Sequence, residues 1–226
     1  MSDDGDTLFG VGKERVYSGM TAEQRHQDRR TRLIDAAIEL MGERGASNTT
    51  VTAVCAKSRV TTRYFYQYFS DRDGLLRAVF EKLEATMRDT LVAAVPKTFA
   101  TPDELAKAPV RALVAMINDD RRLARILFIE SGTEPTLRLL RGEFMVSLAD
   151  LTTQLSRLHL KIPEAASRVG LLAATMGVGG LFEVFRRWLD GELVFTTDEL
   201  VEHCAGFLGS LGTYVLENPA TGDVVP

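Results

Sequence analysis

The residues best equipped for chemistry lie between Thr50 and Phe69, in the run Thr-Val-Thr-Ala-Val-Cys-Ala-Lys-Ser-Arg-Val-Thr-Thr-Arg-Tyr-Phe-Tyr-Gln-Tyr-Phe. From Thr61 to Tyr68 there are three tyrosines, two threonines, one arginine and one glutamine, which leaves Phe65 as the one wholly apolar side chain. At helical pitch Tyr64, Tyr66 and Tyr68 cannot all face one core. A helix with so many hydroxyls suits a wet, anionic surface. Its hydroxyls and the free N–H groups at its N-terminus can meet phosphates, and the Arg63 guanidinium can fork onto guanine O6 and N7. The competing reading is a surface helix whose tyrosines cover a small bundle. Catalytic chemistry has no comparable concentration. The sequence lacks a Gly-rich phosphate loop and a nucleophile–base constellation, and His26, His159 and His203 are isolated, without metal-ligand spacing. A helical enzyme is therefore a remote alternative, and neither a metal nor a cofactor is expected.

These residues need elements to hold them. Leu33, Ala36, Ala37, Leu40 and Met41 recur at helical spacing, so a helix over about 27–44 has one apolar face, and Gly45 is its natural left-handed stop. A short helix from Thr50 to Lys57, capped by Thr49 or Thr50, turns inward Val51, Val54 and Cys55. A tight turn at Ser58–Val60 leads to a helix over 61–68 anchored by Phe65 and Phe69. Two short helices joined by about three residues make a helix-turn-helix. Ser70 then opens a helix reaching about Val95, with Asp71 and Asp73 in the first turn where the helix dipole favours them. Beyond Pro96, helical pattern returns near 103–118, 120–131, 135–159, 163–188 and 197–217. Strand-like alternation is missing, so the fold class is all-α: an N-terminal three-helix DNA-binding domain followed by a C-terminal helical domain.

The chain resembles the TetR family of bacterial regulators. The likeness rests on the first helix ending Glu-Arg-Gly45, the Thr-Thr-Val that opens the second, Val60-Thr61 at the turn, Tyr66-Gln-Tyr-Phe69 and Ser70-Asp-Arg-Asp-Gly-Leu-Leu76. A further match is Asp120-Arg-Arg-Leu-Ala-Arg-Ile-Leu-Phe-Ile-Glu130, similar to a helix of the family's ligand domain. The resemblance directs Thr61, Thr62, Arg63 and Tyr64 to base edges or phosphates, and Tyr66, Gln67 and Tyr68 to the DNA backbone. It also sets Thr50 and Arg72 near phosphates at the starts of their helices. One departure is Arg59, where the family usually has a turn glycine; either it accepts an awkward backbone conformation or the turn differs. The implied partition is a tail over 1–20, a DNA-binding domain over 27–87 with its motif at 50–69, a ligand-binding and dimerisation domain over 88–217, and a C-terminal tail over 218–226.

Glycines inside two C-terminal helices (Gly177, Gly179 and Gly180; Gly206, Gly209 and Gly212) each cost about 0.8–1 kcal/mol relative to alanine, which close helix approach would offset. With Leu172, Met176, Phe182, Phe207, Leu208, Leu211 and Tyr214 they suggest a face pairing with its symmetry mate as a four-helix bundle. Leu172, Met176, Gly180, Gly209 and Leu211 are the expected interface residues; packing inside one subunit is the alternative. Between the two ends, Met87, Leu91, Ile117, Leu127, Phe128, Phe144, Met145, Leu148 and Leu151 are candidates to line a ligand cavity. Arg141, Thr152 and Gln154 would be its polar anchors.

Composition agrees with a soluble regulator. The net charge of -4 hides a polarity: residues 21–77 hold ten Lys/Arg against seven Asp/Glu, while residues 78–226 hold fifteen against twenty. Cys55 and Cys204 sit in apolar helical patterns and read as packed thiols in a reducing compartment. No uninterrupted apolar run reaches the roughly 18 residues of a membrane span, and the acidic start is unlike a signal peptide, so a cytoplasmic, nucleoid-associated location is expected. The expected function is that of a homodimeric repressor released from a palindromic double-stranded DNA operator by a small-molecule effector. An activator, or an effector-independent DNA-binding protein, would share this sequence logic.

Overall fold

A computed structural model describes residues 21–218; the expected tail over 1–20 and nearly all of that over 218–226 lie outside the described residues. Ten α-helices follow one another, with no strand among the described residues: α1 Ala22–Arg44, α2 Val51–Ser58, α3 Thr62–Tyr68, α4 Arg72–Ala93, α5 Pro102–Asp119, α6 Arg121–Arg125, α7 Ser131–Thr133, α8 Pro135–Leu160, α9 Ser167–Leu189 and α10 Thr197–Glu217. A π-helical turn, Ile126–Glu130, joins α6 to α7.

Local chemistry accounts for the helix limits. Thr21 and Gln24 form a reciprocal capping box that starts α1 five residues earlier than its apolar stripe suggests, and Thr196 with Glu199 does the same for α10. Asp71 accepts the Gly74 N–H at 2.7 Å to open α4. Gly45 ends α1 at φ +82° and ψ 160°, outside the left-handed helical region expected of it but in territory that glycine enters readily.

One apolar core runs without a break from α1 through α4 and the π turn into α8, α9 and α10, while a smaller one, built on Ile162, Ala166, Ala173 and Val215, closes the end away from the head. Cys55 and Cys204 are buried and unpaired, and burial pushes both thiols up, as packed thiols should behave. By length and composition α9 is apolar enough to cross a membrane, which counting uninterrupted apolar residues did not reveal.

The glycine reading needs correction. A Cβ on Gly209 would stand 2.5 to 2.7 Å from Asp103 atoms, backbone included, and one on Gly212 would stand 3.1 Å from Pro102. A Cβ on Gly177 would meet Leu208 at 2.8 Å. These three glycines let α5 and α10 approach α10 and α9 inside one subunit. Gly209→Ala is accordingly expected to lower thermal stability by about 1–3 kcal/mol through overpacking. Gly206→Ala, with open space around it, should leave the melting temperature unchanged or raise it; thermal melts of the two variants check both.

Candidate nucleic-acid interface and ligand cavity

The α2–α3 pair is a short unit with a rigid turn. Thr50 caps α2 by accepting the Ala53 N–H at 3.2 Å, so its hydroxyl sits at the exposed start of that helix. At the other end Arg59 adopts the left-handed conformation, φ 57° and ψ 33°, where the family pattern carries glycine. The turn geometry is therefore kept at the cost of strain on a side-chain-bearing residue. Ser58 and Cys55 brace it: the Val60 N–H reaches the Cys55 carbonyl at 3.2 Å and the Ser58 hydroxyl at 3.3 Å. Val60, Phe65 and Phe69 are buried beneath, so α3 is pinned along one side.

The other side of α3 is exposed. Thr61, Thr62, Arg63, Tyr64, Tyr66 and Gln67 all reach solvent. The Thr61 hydroxyl makes no capping bond, and Arg63 has no ion pair or hydrogen bond among the described residues. Two expected DNA contacts turn elsewhere. Tyr68 is half-buried; its hydroxyl accepts from Arg29 Nε at 3.0 Å and its ring packs on His26 at 4.5 Å, because position 68 lies on the α1 side of the helix. Arg72 reaches back into the protein, donating to the Thr49 carbonyl at 2.9 Å and to Glu134 at 3.2 Å. Its guanidinium is a strut within the molecule, and the charge that the resemblance assigns to phosphate is already engaged.

The arginines that make the head basic are likewise not all free. Arg29 lies over the Tyr64 ring at 4.6 Å, Arg30 over Phe69 at 5.6 Å, and Arg32 donates to the Ser58 carbonyl. Lys57 binds Glu39 at 2.6 Å, a contact that holds its ammonium above the usual lysine range and ties α2 to α1. On the motif itself Lys57, Arg59 and Arg63 are exposed, and of these Arg59 and Arg63 carry no ion pair among the described residues.

A cavity of about 190 Å³ lies among α4, α5, α8, α9 and α10. Of the candidates, Met87, Leu91, Phe128, Leu148, Leu151 and Thr152 line it. Ile117, Leu127, Arg141, Phe144, Met145 and Gln154 do not. Ile117 and Leu127 are closed into the core, Phe144 is buried against Phe80 at 6.2 Å, and Met145 is half-buried beside Gly179. Arg141 turns to Gly132, and Gln154 faces solvent. Helical periodicity identifies an inward face but not which inward residues meet a void. Several lining residues escaped that reading, including Phe182, Phe185, Arg157 and Ser167. The Ser167 hydroxyl oxygen is fully buried without a hydrogen-bond partner. At the same end, Thr152 and Thr153 donate to the Leu148 and Ala149 carbonyls at 2.8 Å, keeping oxygen lone pairs free. Arg157 pairs with Glu164 beside them.

Of the expected interface residues, Leu172, Met176 and Gly180 lie on the exposed side of α9. Gly209 and Leu211 do not: the first is buried on α5 and the second lines the cavity. Among the described residues no group of three or more His, Cys, Asp or Glu side chains could hold a metal.

A braced helix-turn-helix with a polar, aromatic outer face, joined through a long helix to an α-helical domain with an apolar cavity, defines a DNA-binding transcriptional regulator. Residues 33–79 match the family model for bacterial regulatory proteins of the tetR family. The HTH-type transcriptional regulator BetI of Burkholderia thailandensis is 32% identical over 176 residues, covering 73% of this chain and 82% of the relative. BetI of Paraburkholderia phymatum is 29% identical over 173 residues with the same coverage. The chain belongs to the TetR family. Among solved structures, the fatty acid degradation regulator FadR from Bacillus halodurans superposes with a TM-score of 0.65 at 22% identity, over 81% of this chain and 96% of that one. A transcriptional regulator from Pseudomonas aeruginosa gives 0.67 at 15% identity, over 92% and 100%. FadR from Bacillus subtilis, in complex with stearoyl-CoA, gives 0.61 at 22% identity, over 80% and 97%.

Proposed function

We propose that this chain is a homodimeric repressor, working on cytoplasmic DNA, that leaves a palindromic operator when an elongated apolar molecule with a hydrogen-bonding head fills the cavity. The carrying observation is that α4 belongs to both sites: it begins beside the recognition helix and contributes Met87 and Leu91 to the cavity wall, with Val95 just past its end. The proposed division at residues 87/88 thus falls within one continuous helix, which makes α4 a lever between a ligand-binding domain over 88–217 and a head over 27–87. Thr50, Thr61, Thr62, Arg63, Tyr64, Tyr66 and Gln67 are the proposed DNA-contacting residues.

The ligand class follows from the distribution of polar atoms. Because α8 and α9 run antiparallel through a short connection, Thr152, Thr153, Ser156, Arg157 and Ser167 gather at the end away from the head, whereas Phe128, Phe182 and Phe185 close the other. An alkyl or acyl chain suits the aromatic end, and a hydroxyl, carboxyl or carbonyl group suits the unpaired Ser167 hydroxyl. The stearoyl-CoA of the Bacillus subtilis neighbour has this combination of features.

An unpaired buried hydroxyl costs about 1–3 kcal/mol, so Ser167→Ala should raise the melting temperature of the free protein while weakening binding of a polar-headed ligand roughly tenfold. Calorimetric titrations with decanol, decanoate and decane check this: decane should bind both proteins equally. Gel shifts on the protein's own upstream DNA, with and without decanoate or decanol, test release. An operator complex that no such amphiphile dissociates would favour the activator or effector-independent reading.

A further inference from the structure

Two carboxylates from the segment that walls the cavity hold the turn that opens the helix-turn-helix. Glu130, buried, accepts the Ala46 N–H with one oxygen at 2.8 Å and the Arg125 Nε–H with the other at 3.1 Å. Ala46 starts the 3-10 turn Ala46–Asn48 between α1 and α2, and Thr49 closes it by donating its hydroxyl to the Gly45 carbonyl at 3.1 Å. Gly45 makes room: a Cβ there would lie 3.3 Å from the Glu130 carboxylate, at a φ of +82° that side chains resist. One helical turn onward, Glu134 takes the second grip by binding Arg72, which also holds the Thr49 carbonyl.

The other side of this segment belongs to the cavity. Phe128, two residues before Glu130, lines it and packs against Phe182 at 4.6 Å and Phe185 at 5.7 Å. Both Phe128 and Glu130 lie in the π turn Ile126–Glu130. A π turn carries one residue more than the α-helical repeat accommodates. If it relaxes to α geometry, whatever follows rotates by one residue, roughly 100° about the axis. Such a rotation removes Glu130 from Ala46.

We propose that this π turn is a latch: Phe128 senses what occupies the cavity, and Glu130, as a positioning residue, sets the α1–α2 turn and hence the angle of the recognition helix. The inference deepens the ligand-released repressor reading and rests on it, but it assigns the transmission to a particular contact in addition to the α4 lever. Pushing Phe128 strains the π turn, and the Glu130–Ala46 contact is where that strain reaches the head.

The test needs no ligand. In the full-length protein, Phe128→Trp overfills the cavity wall, with Phe128→Leu as a milder perturbation should the first variant fold poorly. Two quantities are read: hydrogen exchange of the peptide carrying Ala46, and affinity for an operator-bearing DNA. We expect Phe128→Trp to speed exchange at Ala46 and weaken operator binding at least about fivefold. Glu130→Ala should do likewise, and the two together should do no more than one alone. Additive effects, or a cavity substitution that leaves Ala46 exchange unchanged, would overturn the latch. Exchange is measured without DNA, so failure to bind an operator strikes the repressor reading separately, whereas an unresponsive Ala46 strikes the latch.

Discussion

Arg63→Ala is expected to weaken operator binding by about 1–3 kcal/mol and to relax the preference at one base position in each half-site, with no change in thermal stability. The side chain is exposed on α3, and no carboxylate or carbonyl among the described residues engages it, so its removal leaves nothing inside the protein unpaired. Tyr66 offers a second probe. It is 57% exposed and its hydroxyl has no partner among the described residues, so Tyr66→Phe should reduce affinity evenly across operator variants. Tyr68→Phe supplies the contrast. Losing the Arg29 bond should lower the melting temperature, since that hydroxyl faces α1. Fluorescence anisotropy against a set of single-base operator variants, paired with thermal melts, separates these outcomes. Unchanged affinity for both Arg63→Ala and Tyr66→Phe would remove α3 from the interface.

The sequence made the helix-turn-helix readable because local rules govern it: apolar spacing, capping threonines and the alternation of Phe65 and Phe69 with polar neighbours. Nine of the ten helices fall on segments that helical pattern marks out; the short α7, Ser131–Thr133, lies in the gap left between 131 and 135, and Thr21, which caps α1, precedes the apolar stripe. What local pattern could not supply was the partner of each side chain. Arg72 looks like a phosphate ligand until Glu134, 62 residues on, is folded against it. Tyr68 is as polar as Tyr66 in sequence, and only α1 distinguishes them. The glycines of α9 and α10 announce close approach correctly but not to what, and for Gly209 the answer is Asp103 of the same chain. The cavity is harder still, because a void is a property of five helices together. An apolar residue such as Ile117 packs shut while Phe128 is left at the wall. The π turn gives no sequence signal that helical periodicity can detect.

Met176→Lys is expected to convert the protein from dimer to monomer and to reduce operator affinity by about 10²–10⁴. The helix α9 is apolar on two sides. Ala173, Ala174, Val178, Phe182 and Phe185 turn into the core, while Leu172 and Met176 remain 59% and 58% exposed on the outer face. Beside them on α10, Phe207 and Tyr214 are 49% and 55% exposed. A helix apolar on both faces needs cover on both, and the proposed homodimer would supply it, a second copy presenting the same two helices by symmetry as a four-helix bundle. The ionic group around Glu183, whose carboxyl Arg186 and Arg187 hold down to about 2, borders this patch as a polar rim. Near the dyad a single substitution introduces two like charges, one from each subunit, and both lose water together. The isolated subunit should tolerate it, since Met176 is already exposed and a lysine stem can lie along the same surface. Dependence of DNA binding on the dimer follows from charge. A head with ten basic and seven acidic residues over 21–77 attracts DNA weakly, and two heads held at the 34–36 Å repeat of the groove must share the work. Sedimentation of wild type and variant at micromolar concentration, with operator titrations alongside, decides the matter: a wild-type monomer that binds its operator tightly, or a Met176→Lys protein that stays dimeric with full affinity, would refute the interface.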